Sequence, residues 1–288
     1  MSQGAAVVSE TMLEKISAPA RRWGVGAAAI GGLAGGLVIA LSACSSEHRS
    51  VTSAAKTAAG KIHRSAKASP TSKVNCHVRK CIALTFDDGP VPGTAQLLDI
   101  LKANGARATF FVLGSQVEGN SDMLKREAVE GHEIGNHTFT HAKLAGAPTA
   151  KVETEITHTQ DAIKKVIGKL PLVFRPTYGA TDKQLDAITK QQALAQILWS
   201  VDTVDWRDRN TALIKERVLK GAQPGYIILM HDIRPTTVAA VPDILKTLAS
   251  QGYAFVTISE LYDGQLTPGG KYPPFLGSPT AGPAPTTP

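Results

Sequence analysis

The sequence predicts an α/β fold in which parallel strands, joined by crossover helices, close into a distorted barrel of about seven strands. Three observations carry that prediction. Short apolar runs alternate with amphipathic stretches through the middle of the chain, which is the pattern of repeated strand–helix units. The competing open doubly wound sheet lacks a Gly-x-Gly-x-x-Gly turn after its first strand. Polar residues with catalytic chemistry close the apolar runs, and barrels gather their active residues at the carboxyl ends of strands.

In chain order the candidate strands are Cys81–Phe86, Ala108–Leu113, His132–Gly135, Leu172–Phe174, Ala195–Val201, Tyr226–Met230 and Phe255–Ile258. Helices are expected to start near Thr94, Ser121, Thr149, Thr181, Asn210 and Thr236, several on a Ser, Thr or Asn able to cap free backbone N–H groups. These elements place one domain over residues 74–264, without internal repeats.

The ends of the 288-residue chain read differently. Residues 1–44 carry Arg21-Arg22, then an apolar Gly/Ala-rich stretch ending in Leu41-Ser42-Ala43-Cys44. This is an export signal, and small residues before a cysteine resemble a bacterial lipobox, which would make Cys44 a lipid anchor to the membrane. The alternative is an uncleaved transmembrane helix, since about 20 apolar residues span a bilayer, although so many glycines make a poor helix. Both readings place the domain outside the cytoplasmic membrane, in the cell envelope.

Residues 45–73 are mostly Ser, Ala, Thr and Lys with no aromatic, a composition that cannot offset chain entropy and reads as a flexible basic linker. Residues 265–288 are dominated by Pro, Gly, Thr and Ser and read as an extended tail. The formal charge of +7 divides into +1 on the leader, +5 on the linker and +1 on everything after Lys73. A near-neutral domain on a basic tether excludes a nucleic-acid binder, whose basic residues cluster on the folded face. Setting Cys44 aside leaves Cys76 and Cys81, which read as a disulfide in an oxidising compartment. A metal pair would need a second Cys/His pair nearby, and none follows.

Five segments carry chemistry. Asp87-Asp88 closes the first strand before Gly89-Pro90, so two adjacent carboxylates point in different directions, although Asp-Gly-Pro is also an ordinary turn. His137 and His141 are four residues apart, which on a helical turn puts both imidazoles on one face; with Asp88 they make an open three-ligand site. Arg175-Pro176-Thr177-Tyr178-Gly179 follows another strand, with an Arg able to hold a carboxylate ionised. Asp202-Thr203-Val204-Asp205-Trp206 offers a carboxylate and an indole, and Leu229-Met230-His231-Asp232 an imidazole at a barrel mouth.

In this order the segments resemble the polysaccharide deacetylases of carbohydrate esterase family four, the NodB-homology domain, over Cys81 to about Tyr262. The resemblance implies a NodB-type barrel and a zinc (Zn2+) cofactor held by Asp88, His137 and His141, with cobalt or nickel tolerated by the same ligands. It implies Asp87 as catalytic base, Arg175 as the residue tuning it, and His231 as general acid partnered by Asp205. It implies the Tyr178 N–H as an oxyanion donor and Trp206 and Leu229 as walls of an acetyl pocket. The pattern usually has proline at position 177, so the loop carrying Tyr178 is expected to be less rigid here. His132 is expected to support the strand before the histidine pair.

The implied function is a metal-dependent hydrolase, acting as a monomer, that removes N-acetyl groups from a cell-wall polysaccharide. Peptidoglycan N-acetylglucosamine is the leading substrate from the envelope location. Chitooligosaccharide or acetylxylan deacetylation are alternatives, as is a non-catalytic glycan-binding lipoprotein.

Overall fold

Strand β1 (Lys80–Asp87) sets the architecture, because its alternate residues face two different layers. Ile82, Leu84 and Phe86 pack against the outer helices, while Ala83 joins an inner cluster with Phe111, Val173, Ala195, Ile197 and Ile227. The same alternation turns Thr85 and Asp87 inward. The computed structural model describes residues 74–273. The leader, Cys44 and the linker lie outside the described residues.

Eight further strands follow among the described residues: β2 (Thr109–Val112), β3 (Glu133–Asn136), β4 (Val173–Phe174), β5 (Ala195–Ile197), β6 (Val201–Asp202), β7 (Ile227–His231), β8 (Tyr253–Phe255) and β9 (Lys271–Tyr272). Every pairing is parallel, in the order β6-β7-β1-β2-β3-β4-β5-β9, with β8 on the lower end of β1.

This order requires curvature. β5 and β6 stand six strand spacings apart along the sheet, which laid flat would be about 29 Å. Only residues 198–200 join them, and four Cα steps reach about 15 Å at most. The sheet therefore curls so that β5 and β6 come close across that short link, where the Ser200 N–H donates to the Ile227 carbonyl.

The run expected as one strand over 195–201 is thus two strands with a break at 198–200. A continuous apolar run does not reveal which sheet edge each half serves. The strand expected over 255–258 lies instead at Tyr253–Phe255, and Ile258 opens a short helix whose Thr257 and Glu260 form a reciprocal cap. Ordered pairing also runs past Gly264: β9 continues the sheet beside β5 within the segment expected to be tail.

Helices α1 (Thr94–Ala103), α2 (Gly114–Val117), α3 (Ser121–Val129), α4 (Thr149–Ile167), α5 (Lys183–Gln191), α6 (Asp205–Asp208), α7 (Thr211–Gly221), α8 (Pro235–Ser250) and α9 (Ile258–Leu261) connect the strands. Leu97, Leu98 and Leu101 of α1 and Val241, Ile244, Leu245 and Leu248 of α8 supply the outer layer over β1, at the spacing of an amphipathic helix. Asp182 and Asn210 cap α5 and α7 through their side chains. Cys76 and Cys81 form a disulfide with a Cα separation of 5.4 Å, closing a small loop just before β1.

Candidate active site

Asp87 is the last residue of β1, and its side chain points inward among buried groups. Asp88 follows in the left-handed region at φ 76°, so its carboxylate swings away from that of Asp87 toward the histidine loop. The turn beneath is tight. A Cβ at Gly89 would lie 2.5 Å from the Asp232 carboxylate, so only glycine fits. The Thr94 hydroxyl hydrogen-bonds Asp232 from the other side.

His137 and His141 are brought together by a loop, not by the expected helical turn. Thr138 and His141 both have positive φ (70° and 62°), and the rings meet edge to face at 5.2 Å. Such conformations cost roughly 1–3 kcal/mol each and persist only where surroundings impose them. Glu155 of α4 imposes this one, accepting from the Phe139 and Thr140 N–H groups at 2.8 Å and from the Thr140 hydroxyl at 2.6 Å. The Asn136 carboxamide adds a bond from the Thr138 N–H. Burial holds the His137 imidazole neutral, its pKa lowered to about 3.

Arg175 is fully buried. Its guanidinium donates to Asp87 Oδ1 and Thr85 Oγ1, both at 2.7 Å, and to the carbonyls of Ile197 and Leu198 at 3.1 and 3.0 Å. It also lies 4.1 Å over the Phe111 ring. Burial raises the Asp87 pKa, with Arg175 and then His231 opposing that rise. The following turn, Thr177–Gly179, holds Tyr178 at φ 60°, the residue 64% exposed and its ring 5.0 Å from that of His141. No acceptor among the described residues takes the Tyr178 N–H. Gly179 is required by Trp199, whose ring would sit 2.9 Å from a Cβ there. Thr177, where the family pattern usually has proline, is buried, and its hydroxyl donates to the Ala142 carbonyl.

His231 ends β7, and its Nδ1 lies 2.7 Å from Asp205 Oδ1. Asp205 also accepts the His231 backbone N–H and the Thr237 hydroxyl on Oδ2. Burial opposes charge on the imidazole, but the Asp205 hydrogen bond and charge, with Asp87 and Asp88 beyond, carry its pKa up to about 9. Leu229 lies two residues below on the same inward face, in register with Thr85. Trp206 is half-buried on α6, its ring facing Arg207 at 6.0 Å. His132 is buried, accepting the Ala108 N–H on Nδ1 and packing on Phe110 at the base of β2 and β3.

Asp88, His137 and His141 offer ligand atoms within 4.8 Å of one another. Asp88 Oδ1 is buried with no hydrogen-bond partner, 3.7 Å from His137 Nε2 and 3.5 Å from His141 Nε2. Donors on a tetrahedral ion with bonds of about 2.1 Å stand roughly 3.4 Å apart, so the three atoms fit a divalent metal. His137 Nδ1 lies 2.7 Å from the Arg175 carbonyl, which fixes the tautomer and leaves Nε2 as the ligand atom.

The model of the polysaccharide deacetylase family matches residues 75–197. A peptidoglycan-N-acetylglucosamine deacetylase of Bacillus cereus is 41% identical over 201 residues, covering 67% of this chain and 94% of the relative. The chain belongs to the polysaccharide deacetylase family. The peptidoglycan-N-acetylglucosamine deacetylase PgdA of Listeria monocytogenes is 46% identical over 204 residues, and the match spans 70% of this chain but 42% of that relative. Among solved structures, one described as the T48 deacetylase with substrate aligns with a TM-score of 0.67 and 40% identity, covering 69% of this chain and 99% of that one.

Two residues of this deacetylase-family site escape sequence reasoning. Glu155 has no local signal, as it is one acid among several on a long helix. Asp232 had one, since it directly follows His231 at a strand end.

Proposed function

We propose that the protein is a metal-dependent deacetylase that hydrolyses N-acetyl groups on peptidoglycan, releasing acetate and leaving a free amino sugar. The observation that carries the reading is the pairing of a carboxylate and an Asp205-bonded imidazole, Asp87 and His231, at the ends of adjacent strands beside the Asp88–His137–His141 cluster. The substrate named for these relatives supports peptidoglycan N-acetylglucosamine in particular.

A divalent ion held by Asp88, His137 and His141, proposed to be zinc, would supply Lewis acidity toward the acetyl oxygen and lower the pKa of water. Asp87 takes a proton from the attacking water while Arg175 keeps its carboxylate oriented. The Tyr178 N–H donates to the acetyl oxygen as negative charge develops there. His231, held protonated by Asp205, gives its proton to the amine nitrogen as the C–N bond breaks. Water oxygen ends in acetate, and the nitrogen leaves as an amine. Trp206 and Leu229 flank the acetyl group.

The domain is proposed to lie on the outer face of the cytoplasmic membrane, beside its polymer; the export leader, Cys44 as the proposed lipid anchor and the basic linker support that location. The Cys76–Cys81 disulfide supports an oxidising compartment.

Acetate release from purified peptidoglycan, chitin oligomers and acetylxylan, with and without a chelator, tests the reading. Chelator-sensitive release, greatest from peptidoglycan, is expected. Release from acetylxylan alone would make the protein an ester hydrolase, and no release at any metal loading would make it a glycan-binding protein.

A further inference from the structure

The histidine loop and the arginine–tyrosine loop are stitched together at two points. At one end His137 Nδ1 bonds the Arg175 carbonyl at 2.7 Å. At the other the Thr177 hydroxyl donates to the Ala142 carbonyl at 2.6 Å. Ala142 directly follows His141, and Thr177 directly precedes Tyr178. Both His141 and Tyr178 are non-glycine residues in the left-handed region, at φ 62° and 60°, and their rings touch edge to face at 5.0 Å. Neither conformation is self-sustaining, so something between the loops must hold both.

Thr177 is placed to do so. It is 1% exposed, so its hydroxyl has no water to exchange with, and losing it would leave the Ala142 carbonyl without that donor. Glu155 clamps the histidine loop at residues 139 and 140, but its grip stops before His141. The only side-chain bond among the described residues that reaches across the His141 end to the Tyr178 turn is that of Thr177.

We propose that Thr177 is a positioning residue whose hydroxyl sets the separation between the third metal ligand, His141, and the Tyr178 N–H. Resting on the deacetylase reading above, it explains how metal and oxyanion donor are aimed at one acetyl oxygen although they belong to different loops. A displacement of about 1 Å in such a geometry costs up to about a hundredfold in rate.

The test compares Thr177→Val, which keeps the branched shape without the donor, with Thr177→Ser, which keeps the donor. Zinc affinity by chelator competition, kcat and KM on an N-acetylglucosamine oligomer, and thermal midpoint are measured for each. Thr177→Val is expected to lose roughly ten- to a hundredfold in kcat, with KM within about twofold and zinc bound several-fold more weakly. Thr177→Ser should recover most of both. Wild-type kcat and zinc affinity in Thr177→Val would overturn the proposal, as would equal losses in both variants that track the thermal midpoint. Wild-type protein that binds zinc but releases no acetate would instead remove the deacetylase reading, and the affinity comparison would still decide the role of Thr177.

Discussion

Asp87 and His231 are register partners on adjacent parallel strands, each the last residue of its strand. Their backbones therefore stand one strand spacing apart, about 4.8 Å, and the proposed base and acid are held side by side by the sheet itself. Loops supply the metal ligands, while hydrogen-bonded strands fix the proton-transfer pair.

Removing either proton-transfer group should reduce turnover without abolishing metal binding. Asp87→Asn and His231→Gln are each expected to lower kcat by about 10²–10⁴ while zinc affinity stays within a few-fold. Parental rates in a folded, zinc-loaded Asp87→Asn protein would remove the base assignment.

Activity should fall at alkaline pH as His231 loses its proton, with a limb near pH 9. A bound cation would cancel part of the Asp88 charge and move that limb lower. Asp205→Asn removes the main group raising the imidazole pKa, so the limb should shift toward neutral pH. The same group affects stability. Its folded pKa exceeds the ordinary 6.5, so its contribution is complete below pH 6.5 and is lost as pH rises through about 9. A pH–rate profile and a pH–unfolding series report the two effects separately.

Glu155→Ala should weaken zinc binding by roughly 10–100-fold, the usual loss when support behind ligands is removed. Three donors on residues 139 and 140 lose their acceptor. Glu155→Gln, which retains one oxygen, should be milder. Chelator competition gives the affinities without relying on catalysis.

Glu127 is wholly buried with neither carboxyl oxygen hydrogen-bonded, and burial, followed by Asp232, pushes its pKa well up. The folded state holds this proton more tightly than the unfolded chain, whose value is the ordinary 4.5. The resulting penalty is absent well below pH 4.5 and grows as pH rises above it. Glu127→Met should therefore stabilise the protein by about 1–3 kcal/mol at pH 8 and by clearly less at pH 4. Equal gains at both values would show that the carboxyl is not the cause.

Motif residues at strand ends were legible because period-two burial and turn chemistry are local. Thr85 and Asp87 fall on the same face of β1, as alternation requires. The break at residues 198–200 was not legible, since Ala195 to Val201 reads as one apolar run and only closure of the sheet divides it. Glu127 and Glu155 look like solvated helix acids in sequence. Their burial is decided by what α3 and α4 pack against. β9 was hidden because pairing with β5 gives order to a segment whose composition suggests none.

Arg175 occupies interior volume that neighbouring strands fill with Phe111, Val173 and Ile197, and its donors reach Thr85 of β1 and the carbonyls of Ile197, which ends β5, and Leu198 just beyond it. It is at once part of the proposed reaction chemistry and part of the filling of the curled sheet. Anyone seeking an inert but intact version of this protein for binding or imaging work should leave that arginine alone and alter His231, which ends a strand with its side chain 12% exposed, where the proposed function can be removed without hollowing out the core.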